Sequence, residues 1–138
     1  MKNRSFAILT ILIVLLQAVP HVPAQSVRLE ANIPFEFVAG SAPLPAGQYH
    51  IEPMGSHVVR IWSADSRSSA FFQTIGVQTR NLNENGKLVF NRYGNTYLLS
   101  QIWSPGSHSG RELMKSRLER RLAEGIPIPH KQEVATRD

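Results

Sequence analysis

The chain has no cysteine in its 138 residues. A disulfide framework is therefore excluded, and so are a thiolate metal site and a lipid anchor attached through cysteine. The fold must be held together by the burial of apolar side chains alone. About 114 residues follow the N-terminal segment described below, which is enough for one domain with its own core.

Recognisable catalytic and metal-binding motifs are also missing. The histidines beyond residue 24 are not spaced as metal ligands, and no His-Glu-x-x-His occurs. In the segment Gly106 to Gly110, His108 stands where a nucleophile elbow needs serine. We therefore predict no catalytic residue, no metal and no cofactor. The alternative is a small hydrolase or ligand-binding enzyme that uses His50 with Glu52, which share one strand face, or His108.

Long apolar runs are limited to one, and it lies near the N-terminus. Two basic residues precede an apolar stretch from Phe6 to Val19, and small residues follow at Val22 and Ala24. This order is typical of a secretory signal peptide, and the apolar run is shorter than the ~20 residues that a membrane span needs. We predict a signal peptide over residues 1–24, no membrane span after cleavage, and a periplasmic or extracellular location.

The charge balance gives little support to nucleic-acid binding. Once Lys2 and Arg4 are set aside, thirteen basic side chains face ten acidic ones, which is only mildly basic. Five of the basic residues lie between Arg111 and Arg121, where glutamates interrupt them and aromatic residues are absent. This pattern predicts a solvated helix face. Binding of an anionic polymer through this basic C-terminal helix is a further alternative.

Alternating apolar and polar residues predict strands over most of the chain. The first alternation runs from Val27 to Phe37, and Gly94-Asn95 between two apolar runs predicts a tight hairpin turn. Further short strands follow one another with turn residues between them. We predict a mainly β domain over residues 25–125, built as a small antiparallel β-sandwich or partly open barrel.

One helix is predicted late in the chain, over about residues 109–124. Ser109 and Glu112 are spaced as a capping box, and Gly125 suits the end of a helix. An apolar stripe of Met114, Leu118 and Leu122 is predicted to pack on the sheet. Residues 126–138 contain two prolines and many charges, which indicates a flexible C-terminal tail.

Several phrases of the sequence resemble a group of small exported bacterial proteins of uncharacterised function. The phrases are Ile33-Pro34-Phe35-Glu36-Phe37, Leu44-Pro45-Ala46-Gly47-Gln48-Tyr49, Phe90-Asn91-Arg92-Tyr93-Gly94 and Gly110-Arg111-Glu112-Leu113. The resemblance covers most of the chain beyond residue 24. It implies a β-rich exported domain and carries over no activity.

Two sets of residues are candidates for binding. Four aromatic residues and one arginine could form a face that stacks on a sugar or contacts a protein, although cross-strand packing in the core would explain the aromatics equally. They are Trp62, Arg92, Tyr93, Tyr97 and Trp103. Ser109 and Arg111 could bind an anion at the N-terminus of the predicted helix, and ordinary helix capping is the alternative there.

The leading functional hypothesis from these observations is an exported, non-catalytic β-domain of the cell envelope that works through a surface. Its partner would be another envelope protein or a glycan. The core pattern is clear, whereas no converging set of polar catalytic groups is recognisable, and this contrast motivates the hypothesis.

Overall fold

A computed structural model describes residues 27–138, which form a closed barrel of antiparallel strands. The predicted signal peptide lies outside the described residues. The strands are β1 (Leu29–Ile33), β2 (Phe37–Ala39), β3 (Ala42–Leu44), β4 (Gly47–Pro53), β5 (Val58–Ser63), β6 (Ser69–Asn83), β7 (Lys87–Tyr93), β8 (Thr96–Trp103), β9 (Ser107–Leu113) and β10 (His130–Arg137), and the one helix among the described residues is α1 (Arg117–Gly125).

Eight strands follow one another around the barrel in the order β8-β7-β10-β1-β4-β5-β6-β9, and pairing of β8 with β9 closes it. The short hairpin of β2 and β3 lies outside this ring and joins β8 through a parallel contact. The prediction of a mainly β antiparallel domain with one helix is confirmed. The barrel is closed rather than partly open, because β9 and β10 supply the strands that complete it.

Alternation along the strands separates the inside of the barrel from its outer wall. On β5, Val59 and Ile61 are fully buried, whereas Arg60 and Trp62, which alternate with them, are half-buried and point outward. The interior is filled by apolar side chains from nearly every strand, among which Tyr49 and Phe90 are the largest fully buried ones. The barrel wall is therefore a rigid support whose outward residues are available for contacts.

The helix prediction over residues 109–124 was wrong at its start. Ser107–Leu113 forms strand β9, and the helix begins only after Ser116, whose hydroxyl accepts a hydrogen bond from the Glu119 backbone N–H at 3.2 Å. The serine-x-x-glutamate spacing occurs twice in this region, and the second copy is the one that caps the helix. The first copy lies in a strand because β9 pairs with both β6 and β8.

Gly110 explains why this stretch can be a strand despite its glycine and serine content. The indole of Trp103 lies directly against it, and a Cβ at this position would come within 2.5 Å of a ring carbon. The glycine is needed for close approach between β8 and β9, not for a loop.

The prediction of a flexible tail over residues 126–138 was also wrong. His130–Arg137 forms strand β10, which lies between β7 and β1. Only Val134 of this strand packs against the core. Its outward side is held by polar contacts instead, with Lys131 Nζ at 2.6 Å from Asn91 Oδ1 and Glu133 Oε1 at 2.8 Å from Lys87 Nζ.

Candidate functional site

A group of aromatic and basic side chains lies on the outer wall of the barrel, across β4, β5, β6 and the residue that precedes β1. We name it the outer-wall patch, and it consists of Arg28, His50, Arg60, Trp62 and Phe71. Strand register builds it, because His50 pairs with Trp62, and Arg60 pairs with Phe71 on the next strand. Successive side chains of a strand point to opposite faces. Because the sequence neighbours of these residues point into the core, the patch side chains point away from it.

Trp62 is the centre of the patch. The guanidinium carbons of Arg60 and Arg28 lie 4.6 Å and 5.3 Å from the centroid of its ring, within range of cation–π attraction. The imidazole of His50 lies 5.3 Å away at a tilt of 32°. Phe71 borders the group, with its ring 5.9 Å from the Arg60 guanidinium, and its side chain is 63% exposed.

Carboxylates next to the patch offset part of its positive charge. Arg28 lies 3.9 Å from Glu52, and Arg137 of β10 lies 3.5 Å from Glu30. The Nδ1 atom of His50 lies 3.4 Å from the other oxygen of Glu30, although the two groups are not aligned for a hydrogen bond. The surface is therefore nearly balanced in charge, with an apolar centre.

The residues of the enzyme hypothesis do not converge. His50 and Glu52 lie on the outer wall with Trp62, Arg28 and Glu30 as neighbours, far from a shared pocket with His108. His108 lies on β9, where its Nδ1 is 3.3 Å from the backbone oxygen of Thr79. Within residues 27–138 no group of three or more His, Asp or Glu side chains is arranged to hold a metal ion.

Three of the four predicted aromatic residues pack into the protein instead of forming a common face. Tyr93 and Trp103 are buried. Tyr97 stacks on Phe35 with ring centroids 3.9 Å apart. Arg92 lies over Tyr97 at 5.4 Å and donates to the Gly94 carbonyl at 2.7 Å, so it stabilises the hairpin turn.

Trp62 is thus the one predicted aromatic that belongs to the outer-wall patch. Its neighbours Arg28, Arg60 and Phe71 were not predicted from the sequence. A signal was present, because each of them lies next to core residues in the sequence, but their meeting on one surface depends on the register between strands.

The predicted anion site is not formed. Ser109 and Arg111 lie within β9, away from any helix N-terminus. The guanidinium of Arg111 donates to the backbone oxygens of Ser56 and Gly55, at 2.7 Å and 3.2 Å, and so ties β9 to the turn between β4 and β5. These guanidinium N–H groups therefore hold two parts of the fold together.

A second polar cluster joins the helix to the barrel, and we name it the Glu119 cluster. Glu119 is buried, and its Oε1 accepts hydrogen bonds from Asn91 Nδ2 at 2.8 Å and from the Tyr93 hydroxyl at 3.2 Å. Burial, together with the nearby Glu119 carboxylate, raises the pKa of the Tyr93 phenol, so Tyr93 remains a donor. Lys131 completes the cluster through the other side of Asn91.

The Glu119 cluster decides how α1 lies on the barrel. The sequence predicted that Met114, Leu118 and Leu122 would face the sheet, but Glu119 is the buried residue of the helix. Glu119 therefore does not belong to the solvated face predicted for this stretch, because it contacts Asn91 and Tyr93. The helix is therefore fastened by a polar contact, which leaves part of its apolar side in solvent.

Replacing Glu119 with alanine is expected to destabilise the docked helix by about 3 kcal/mol, because Asn91 and Tyr93 then keep buried polar groups without partners. Glu119→Gln retains an acceptor and should recover at least half of the loss. Glu124→Ala, on the exposed side of α1, is the matched control and should change stability by less than ~0.5 kcal/mol. Urea unfolding combined with hydrogen exchange of the α1 amides measures both effects. Equal stability of the Glu119→Ala and Glu124→Ala variants would contradict the role given to the cluster.

Comparison with known proteins leaves this geometry as the main guide to function. No family model, no curated protein and no solved structure matches the chain.

Proposed function

We propose that the protein is an exported, non-catalytic binding module that docks another protein of the cell envelope through the outer-wall patch. The observation that carries the proposal is the arrangement around Trp62, in which two arginines and an exposed phenylalanine surround one indole on a rigid wall. Tryptophan and arginine dominate the binding energy of protein interfaces, and they act best on surfaces that do not rearrange.

A protein partner fits this surface better than a glycan. Sugar recognition by stacking needs an open aromatic face, but two guanidinium groups already lie over the Trp62 ring. Phe71 adds a large exposed apolar group next to them, and Ile75 on the same face of β6 is 52% exposed. An interface core of aromatic, aliphatic and arginine side chains with paired charges at its border is typical of protein–protein contacts.

Export is supported by the N-terminal pattern. A short basic start, an apolar run and small residues at Val22 and Ala24 together are typical of a cleavable leader. The resemblance to small exported β-rich proteins supports the same location.

The test uses the chain from Gln25 onward as bait against the envelope fraction of its source. One variant combines Arg60→Ala with Phe71→Ala, which alters the patch without touching a core residue. The matched control combines Arg80→Ala with Leu82→Ala, an exposed arginine and an exposed apolar residue elsewhere on β6. Captured proteins are identified and their affinities are measured again with purified components.

The proposal expects a protein that binds the unchanged bait and the control equally and binds the patch variant at least about tenfold more weakly. Recovery of no partner at any salt concentration would overturn it. Equal binding by both variants would place the contact elsewhere, and capture that is competed by soluble saccharide would identify a glycan as the ligand instead.

A further inference from the structure

The side of α1 that faces solvent combines exposed apolar residues with positive charge. We use the name α1 face for the exposed apolar and basic residues of α1 and of the segments directly before and after it, namely Met114, Lys115, Arg117, Leu118, Arg121 and Ile128. Met114 is 60% exposed, Leu118 is 40% exposed and Ile128 is 84% exposed, although all three are apolar. Lys115 and Ile128 border the same cavity beside the Glu119 cluster, so the segments before and after the helix lie close together.

The exposed charges of α1 and of the residues directly before it are mostly positive. Lys115, Arg117, Arg120 and Arg121 are exposed, whereas Glu119 is buried and leaves Glu124 as the one exposed carboxylate of the helix. Arg117 and Arg121 are four residues apart, so they project from the same side of α1. Neither makes an ion pair with any residue between 27 and 138.

We propose that the α1 face docks on an anionic lipid bilayer, with the helix lying in the plane of the surface. Interfacial helices of this kind place apolar side chains at the level of the acyl chains and keep arginine and lysine at the lipid phosphates. Such a contact would use both the exposed apolar residues and the exposed basic residues. Within the described part of the chain no helix is long and apolar enough to cross a membrane, and the proposed contact does not require a crossing.

Other binding partners would account for either the exposed apolar residues or the positive charge, but not for both. A second copy of the chain would cover the apolar residues but would bring two sets of arginines together, which is unfavourable. Nucleic acid or an acidic polysaccharide would match the arginines but would leave Met114, Leu118 and Ile128 in water, and α1 has no aromatic residue for stacking on bases. Charge complementarity and exposed apolar area together favour a lipid surface.

The proposal is independent of the outer-wall patch, since the two surfaces share no residue. Its test is flotation of the chain from Gln25 onward with vesicles of phosphatidylcholine alone and with vesicles containing about one third phosphatidylglycerol, at low and high salt. Starting at Gln25 removes the apolar N-terminal run, which would bind lipid by itself. One variant combines Arg117→Gln with Arg121→Gln, and a second combines Met114→Ser with Ile128→Ser. The control combines Arg67→Gln with Arg80→Gln, two exposed arginines elsewhere on the surface.

The expected result is binding to the phosphatidylglycerol vesicles that falls steeply with salt and is absent with phosphatidylcholine alone. The α1 arginine variant should bind about thirtyfold more weakly, the apolar variant at least threefold more weakly, and the control unchanged. Absence of binding to anionic vesicles at low salt would overturn the proposal. So would an apolar variant that binds as well as the unchanged chain, because that outcome indicates an anionic polymer site, which heparin would reproduce.

Discussion

A chain that ends at Pro129 is expected to lose the fold, although the deleted residues are mostly polar and exposed. The deletion removes β10, which pairs with β7 over six positions and with β1 over two. Without it the two strands face each other across a missing strand, and their free backbone donors and acceptors invite aggregation. We expect no cooperative unfolding transition and loss of the monomer peak in size-exclusion chromatography.

A single substitution at Thr136 tests the pairing of the same strand. Its backbone N–H donates to the Gly86 carbonyl at 2.9 Å, so Thr136→Pro leaves that buried carbonyl without a donor and should cost about 1–3 kcal/mol. Thr136→Val is the control, because the threonine hydroxyl is buried without a hydrogen-bond partner and its loss should not destabilise the protein.

For the truncation, the control is a chain that ends at Arg137, which keeps β10 and should fold normally. If the Pro129 truncation unfolds with the same midpoint as the full chain, β10 is not part of the stable barrel.

The sequence could not reveal β10 for a physical reason. Strand prediction depends on apolar residues at every second position, and here only Val134 packs on the core. The strand is held by its backbone pairing and by Lys131, Glu133 and Arg137, whose partners lie at least 40 positions away. Charged residues with distant partners have the same local pattern as a disordered tail.

The elements that could be predicted are those whose signals lie in residues close together in the sequence. The strand beginning near Val27 and the hairpin turn at Gly94-Asn95 follow from alternation and turn chemistry, and the hairpin register pairs Tyr93 with Thr96 as those signals imply. The helix was placed wrongly because two capping boxes occur seven residues apart. The choice between them depends on Trp103, which needs Gly110 beneath its ring in a strand.

The candidate site was predictable only in part, because its contacts join strands that are distant in sequence. Trp62 could be selected from its residue type. Arg28, which directly precedes β1, lies over the Trp62 ring, and Phe71 is brought opposite Arg60 by the register of β5 with β6. Glu119 was expected in solvent because it alternates with basic residues in the helix, but the amide of Asn91 and the hydroxyl of Tyr93 provide buried partners for it.

Phe90 and Phe71 lie on opposite sides of the barrel wall, and their truncation should have opposite consequences. Phe90 is fully buried and makes edge-on contacts with Phe35 and Phe37 at 5.0 Å and 5.5 Å between ring centroids. Phe90→Ala leaves a cavity in a closed barrel that cannot collapse around it, and should cost about 4 kcal/mol. Phe71 is mostly solvated, so Phe71→Ala should change stability by less than ~0.5 kcal/mol.

Measuring both variants by urea unfolding and by binding separates the core from the proposed docking surface. Phe90→Ala should lower the unfolding midpoint while the folded fraction still binds the partner with normal affinity, because the outer-wall patch is intact. Phe71→Ala should unfold like the unchanged protein and bind more weakly, since it removes exposed apolar area next to Trp62 and the Arg60 contact. A Phe71→Ala variant that loses several kcal/mol would show that Phe71 supports the fold, and the outer wall would then be a structural surface and not a docking surface.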